Sequence, residues 1–149
     1  MQEIDVKLEL MESSSRAPAY QHPEDAGADL ACIEELNLLP HQVVVARTGL
    51  KMAIPAGHAL LVCSRSGMAR DLGIMVINSP GIVDAGFLGE IRVLLLNTSD
   101  KAVHLREGTR VAQAVFVPVV RVNFSLVPSL EKEVQSSRGA GGFGSTGLA

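Results

Sequence analysis

The sequence predicts an all-β sandwich or barrel, and three observations carry that expectation. Apolar and polar residues alternate with a period of two along most of the chain, as in strands with one face buried. Clusters of Gly, Pro, Asn, Asp and Ser interrupt these runs at short spacing, which marks many short strands joined by turns. The apolar residues are mainly aliphatic: 149 residues include four Phe, one Tyr and no Trp, so Val, Leu and Ile must fill the core.

Taken in order, the first strand is expected over residues 4–10, where Ile4, Val6, Leu8 and Leu10 alternate with Asp5, Lys7 and Glu9. Further strands are expected at 42–46, 50–54, 59–63, 74–77, 91–96, 102–105, 110–117 and 121–126. Turn signals separate them at Leu39-Pro40, Thr48-Gly49, Pro55-Ala56-Gly57, Ser79-Pro80-Gly81, 97–100 and Glu107-Gly108. One exception is residues 66–72, where Met68, Ala69 and Leu72 suit one or two helical turns stopped by Gly73. The runs at 93–96 and 111–120 are nearly continuous in apolar residues, the mark of strands buried on both faces. In so short a chain one of those faces is expected to meet another subunit. The body is expected to span 1–130, with 131–149 a polar, glycine-rich arm.

At this length one domain buries about 70% of its unfolded surface. Hydrophobic residues make up 47% and charged residues 19%, which indicates a globular body. A net charge of −3 argues against a nucleic-acid partner, although a small phosphate ligand needs only local positive charge. The start has no basic, apolar export signal, and no run of 18 apolar residues points to a membrane span. A cytoplasmic location is therefore expected, with Cys32 and Cys63 as reduced core thiols. His22, His41, His58 and His104 show no zinc-binding spacing.

Polar residues that break the alternation collect in five places. In Asp25-Ala26-Gly27-Ala28-Asp29-Leu30 two acids flank a small-residue turn; plain turn chemistry and a carboxylate beside a hydrated cation both fit. Ser64-Arg65-Ser66-Gly67 combines free backbone N–H groups with a guanidinium fork suited to phosphate; an ordinary helix cap at Ser64 or Ser66 fits as well. Residues 78–90 read as a β-hairpin with Asp84 at its tip beside apolar neighbours. A carboxylate partly desolvated there gains basicity and suits a general base acting on water, the alternative being a solvated turn aspartate. Gln113 falls inside an apolar run, so its amide needs a partner, either a ligand or a neighbouring backbone. The tail, Ser136-Ser137-Arg138-Gly139-Ala140-Gly141-Gly142-Phe143-Gly144-Ser145-Thr146-Gly147, cannot pack a core. It has glycines for an anion-binding nest, an arginine, a ring and two hydroxyls. It lacks the lysine and following helix of a P-loop. Together these features suggest a nucleoside polyphosphate cut by water.

In order and spacing, residues 25–30, 65–69, 78–89 with the strand through Asn97, 108–113 and 138–147 resemble the five motifs of the trimeric dUTP pyrophosphatases, the dUTPases. The resemblance implies a jelly-roll-like β fold and a homotrimer whose three active sites each draw on all three subunits. It implies Mg2+-assisted hydrolysis of dUTP to dUMP and pyrophosphate, which keeps uracil out of DNA and supplies dUMP for thymidylate synthesis. Carried over by position, Asp84 would orient and deprotonate the water attacking the α-phosphorus. Asn78 and the backbone of Gly81, Ile82 and Val83 would read the uracil edge, and Phe87 would pack under the deoxyribose. Arg65, Ser66, Gly67 and Gln113 would bind phosphates, Arg92 would touch substrate, and Asp29 would lie near the hydrated metal without ligating it directly. Arg138 would act on the phosphates as a catalytic arginine. Phe143 would stack on uracil, while Gly144, Ser145 and Thr146 would hold the γ-phosphate as the arm closes over a neighbouring subunit's site.

Two positions depart from the family pattern. Phe87 stands where most members have Tyr; the ring that excludes a 2′-hydroxyl is kept. Ser64 stands where many have Pro, which softens the loop without removing a ligand-binding group. A related dCTP deaminase is the nearest rival, but it needs a glutamate on the strand that here reads Arg92-Val93-Leu94-Leu95-Leu96-Asn97. A non-catalytic trimeric β-sandwich binding module gives no reason for Asp84, Arg65 and Arg138 in matching loops.

Overall fold

The computed structural model describes residues 3–141. In chain order the strands are β1 (Lys7–Leu10), β2 (Ala28–Ala31), β3 (Leu36–Leu38), β4 (Val43–Ala53), β5 (His58–Cys63), β6 (Ile74–Val76), β7 (Gly81–Asp84), β8 (Ile91–Asn97), β9 (Val103–Leu105) and β10 (Arg110–Pro118). Helix α1 (Ser66–Leu72) lies between β5 and β6, and α2 (Leu130–Glu133) follows the last strand.

Two four-stranded antiparallel sheets form a jelly-roll-like sandwich. One has the order β1-β4-β8-β6 and the other β2-β10-β5-β7, with β3 and β9 a separate two-stranded ribbon. The inward residues Leu50, Met52, Ile74, Val76, Val93 and Leu95 of the first sheet meet Leu30, Leu60, Val62, Ala112 and Ala114 of the second in one core cluster. The aliphatic core expected from composition is thus present. Cys32 is buried and Cys63 half-buried, both free, and burial pushes both thiols up.

Helix α1 forms where expected. Gly73, at φ 66°, takes the left-handed conformation that ends it and returns its N–H to the Ala69 carbonyl. The helix starts at Ser66 behind Arg65, and neither serine makes a side-chain cap.

Several expectations need correction. Thr48-Gly49 is not a turn between two strands. It is a bulge inside the single strand β4, where the register to β8 shifts between Arg47 and Leu50 and Gly49 adopts φ 65°. The first strand is shorter than 4–10. Its Leu8 and Leu10 sit opposite the buried Met52 and Leu50 but lie at the sheet edge, exposed in the single chain. Residues 78–90 are not a hairpin: β7 pairs with β5 while β8 lies in the other sheet, so Asp84 ends an edge strand and the loop after it crosses the sandwich. Residues 121–126 form no strand, and Val122, Phe124 and Leu126 stand in solvent, Phe124 91% exposed. The apolar runs of β8 and β10 are buried on one face and half-buried on the other. On the outer face of the first sheet Val43 and Val45, exposed, pair with the half-buried Leu96 and Leu94. Among the described residues no helix is long and apolar enough to cross a membrane.

Candidate active site

Strand β5 organises the site, because β7 flanks it on one side and β10 on the other. At its C-terminal end a cleft of about 260 Å³ collects three of the five motif loops: Asp25, Gly27 and Asp29 from the first, Arg65, Ser66 and Gly67 from the second, and Gln113 from β10. The Asp29 carboxylate is 10% exposed and grips Arg65, with Nε at 2.7 Å, and Arg110, with Nη1 at 3.0 Å. Arg65 also donates through Nη1 to the Arg110 carbonyl at 2.9 Å. A guanidinium held by its Nε edge keeps other N–H donors for an anion. Asp25 is turn chemistry: its carboxylate accepts the N–H groups of Gln21 (3.1 Å) and His22 (2.8 Å).

Gln113 resolves its partner problem on a backbone. Its Nε2 donates to the Ser64 carbonyl at 2.8 Å, and its Oε1 lies against Gly27, where a Cβ would approach to 2.3 Å. Only glycine permits that approach.

A second cleft is lined by Ile82, Val83, Asp84, Phe87, Glu90, Ile91 and Arg92. Asp84 is exposed here, so the partial desolvation expected for it is not supplied by its own chain. Its carbonyl accepts the Phe87 N–H at 3.2 Å, closing the turn, and the Phe87 ring folds back across Gly89, where a Cβ would lie 2.6 Å from Cζ. The Asn78 amide approaches Gly81 so closely that a Cβ there would be 3.0 Å from Nδ2.

Beneath this cleft Glu90, its side chain 5% exposed, accepts from the Gly49 N–H at 3.0 Å and from Arg92 Nε at 2.9 Å, with Arg47 Nε 3.2 Å away. Burial pushes its carboxyl up. The Arg92, Gly49 and Arg47 donors together outweigh burial and hold it below the usual carboxylate range. Arg47 also pairs with Glu12.

The two clefts lie at opposite ends of β5. Asp84 sits opposite Ala59, and Gln113 sits opposite Cys63 on the other side. At about 3.3 Å per residue along the strand and about 4.8 Å between strands, their backbones are about 16 Å apart. Asp84 and Phe87 line one of these two clefts and Arg65 the other. Arg138 lines neither cleft, and its Nε donates to the Gly141 carbonyl at 2.9 Å. Phe143, Gly144, Ser145 and Thr146 lie outside the described residues. Among the described residues no cluster of three or more His, Cys, Asp or Glu is placed to hold a metal.

Sequence reading missed Glu90 and Arg110. Glu90 immediately precedes β8 and Arg110 opens β10, each near a named motif residue, but their partners Arg47 and Asp29 lie far off in the chain.

The dUTPase family model matches residues 13–147. A deoxyuridine 5'-triphosphate nucleotidohydrolase from Picosynechococcus is 42% identical over 97% of this chain and 99% of its own length. One from Thermobifida fusca is 45% identical over 97% of this chain and 79% of its own. The solved structure of a Staphylococcus bacteriophage 80alpha dUTPase mutant with dUpNHpp matches with a TM-score of 0.89 at 26% identity, covering 97% of this chain and 99% of that one. A matched family model and relatives above 40% identity over nearly the whole chain mean that it belongs to the dUTPase family.

Proposed function

We propose that the protein hydrolyses dUTP to dUMP and pyrophosphate, by water attack on the α-phosphorus, as a homotrimer whose sites are each assembled from several chains. The observation that carries the assembly is the separation along β5. The acid and ring of one cleft and the phosphate-binding fork of the other stand about 16 Å apart in a single chain. One nucleotide joins them only if the Asp84 cleft of one subunit faces the Arg65 cleft of another. The exposed Val43 and Val45 and the exposed apolar side chains at 120–127 supply surface for those contacts. Residues 1–130 act as the β domain and 131–149 as the arm that reaches a neighbour's site.

In such a site Asn78 and the backbone of Gly81, Ile82 and Val83 present polar groups to the uracil edge. A base with the wrong donor pattern leaves a buried group unpaired, which is a strong basis for rejection. Phe87 walls the sugar. Asp84 orients the water and takes its proton, and packing of a second subunit over the Ile82–Phe87 surface provides the desolvation its own chain lacks. Arg65, Ser66, Gly67 and Gln113 hold the phosphates, Arg92 lies at the edge of the base cleft, and Arg138 arrives with the arm. Phe143 stacks on the base, while Gly144, Ser145 and Thr146 hold the terminal phosphate.

Mg2+ carried by the triphosphate would neutralise part of its charge. The residues present fit an ion carried by the nucleotide, since Asp29 is committed to two arginines and would meet such an ion through a water rather than as a direct ligand. The free thiols and the reaction itself suit a cytoplasmic enzyme that lowers dUTP and supplies dUMP.

The deaminase reading is disfavoured by Glu90. It is the acid nearest the strand in question, and three donors occupy its carboxylate. Pyrophosphate release from dUTP with Mg2+, beside dCTP, dTTP and UTP, tests the assignment. Asp84→Asn should bind dUTP and lose about 10²–10⁴-fold in turnover. Undiminished hydrolysis by that variant would remove Asp84 from the role of base.

A further inference from the structure

Ser64 sits between the last residue of β5 and Arg65, and each of its polar groups meets a different segment. Its Oγ accepts the Val76 N–H at 2.9 Å. Its carbonyl accepts Gln113 Nε2 at 2.8 Å. Its N–H points at Ser79 Oγ, 3.4 Å away. The Ile77 N–H bonds the Leu94 carbonyl of β8, so the Val76 N–H faces away from β8, and β6 is the outer strand of its sheet, with no ladder partner on that side among the described residues. The serine hydroxyl takes that partner's place. One residue thereby links the end of β5 in one sheet to β6 in the other, and to the turn carrying Asn78 and Ser79.

We propose that Ser64 is a positioning residue, a clasp that holds in place both the Arg65–Gly67 phosphate loop and the Asn78–Gly81 base-reading turn of its own chain, each of which serves a different site of the assembly. The inference rests on the proposed dUTP reaction. It assigns Ser64 no contact with substrate; it acts through Arg65 on one side and Asn78 on the other. A proline at this position would have neither the N–H nor the hydroxyl, so the clasp is a property of this chain's own residue. Gln113 completes it. The amide that braces the Ser64 carbonyl belongs to a residue lining the phosphate cleft, and glycine at position 27 makes room for it.

The clasp predicts a loss of substrate affinity rather than of chemistry. Removing the hydroxyl leaves the Val76 N–H unpaired and frees both loops. A hydrogen bond of ordinary net strength corresponds to roughly a 3- to 10-fold rise in KM for dUTP, with kcat changed less than about twofold.

The test uses the full-length protein with Ser64→Ala and the hydroxyl-retaining Ser64→Thr. Kinetics on dUTP are combined with amide hydrogen exchange at Val76 in nucleotide-free protein. The expected result is faster Val76 exchange and raised KM in Ser64→Ala, with both returned toward wild type in Ser64→Thr. If Ser64→Ala only lowers Tm, leaving KM and Val76 exchange at wild-type values, the clasp is overturned. Faster exchange with unchanged KM overturns the positioning role. A wild-type protein inert on dUTP whose Val76 exchange still responds to Ser64→Ala counts against the assigned reaction, not against the clasp.

Discussion

Replacing Glu90 with glutamine isolates the charge beneath the base cleft with little change of shape. The carboxylate presents one oxygen to the Gly49 N–H at 3.0 Å and the other to Arg92 Nε at 2.9 Å, with Arg47 Nε between them. A glutamine amide has one acceptor and one donor, so either rotamer turns an N–H₂ toward another donor. Hydrogen bonds to charged groups contribute about 1.5–3 kcal/mol each. The Arg92 side chain is more than half exposed, so the lower end applies and the charge is partly screened. The expected loss is about 2 kcal/mol in total, or roughly 4–8 °C in Tm for a chain of this size.

The pH dependence gives the charge its own signature. The Glu90 carboxyl is held below its ordinary value near 4.5 in the folded protein. Its contribution is therefore complete above that ordinary value and fades as pH falls through the lower, folded value. Urea unfolding of wild type and Glu90→Gln at one fixed protein concentration, at pH 7 and at steps below pH 4.5, is the assay. Concentration is fixed because assembly shifts apparent stability. The difference between the two proteins should be widest at pH 7 and shrink in acid. A difference that stays constant through acid would mean that shape, not charge, is what the site requires of Glu90.

Other outcomes follow from close contacts and from the composite site. Gly89→Ala places a methyl where the Phe87 ring lies, so the wall against a 2′-hydroxyl should shift. Wild type, despite Phe at 87, should discriminate strongly between dUTP and UTP, and Gly89→Ala should narrow that ratio of kcat/KM. Gly27→Ala drives a Cβ into Gln113 Oε1 and should raise KM for dUTP several-fold, as measured by steady-state kinetics, while the protein still folds. Truncation after Ser137 removes Arg138 and the glycine-rich residues that follow it. It should keep dUMP binding by calorimetry and lose roughly 10³-fold or more in turnover, the scale set by catalytic arginines in other phosphoryl transfers.

The sequence made the strands of the sandwich legible wherever alternation ran for five or more residues, and the end of α1 wherever glycine had to take positive φ. It hid β2, whose Asp29 reads as a turn residue among small side chains, and β3, whose Leu36-Asn37-Leu38 runs straight into the Leu39-Pro40 turn signal. It misread Thr48-Gly49 because a bulge and a turn use the same residue types. Residues 121–126 show the opposite failure. The alternation is real, but a strand exists only where a ladder partner does, and within one chain there is none among the described residues. At the site, Asp29, Arg65, Asp84 and Gln113 were visible as polar breaks in apolar runs. Their partners were not, since Asp29 meets Arg110 across 81 residues and Glu90 meets Arg47 across 43.

The arrangement around β5 explains why the polar residues of one chain are so thoroughly committed to each other. Asp29 orients Arg65, Glu90 orients Arg92, and Gln113 braces Ser64, so each cleft presents side chains already fixed by partners from its own chain. Catalysis by positioning requires that the geometry exist before the substrate arrives. The surfaces that must move or meet another molecule are the opposite: Asp84, Phe87 and Arg138 are exposed and held chiefly by local backbone turns. A site divided as proposed can be rigid in each half and still open, because its closure brings together halves from different chains. The about 16 Å that separates acid from phosphate fork within one chain is therefore not a defect of the single subunit. On the proposed assembly it withholds hydrolysis from a chain that stands alone.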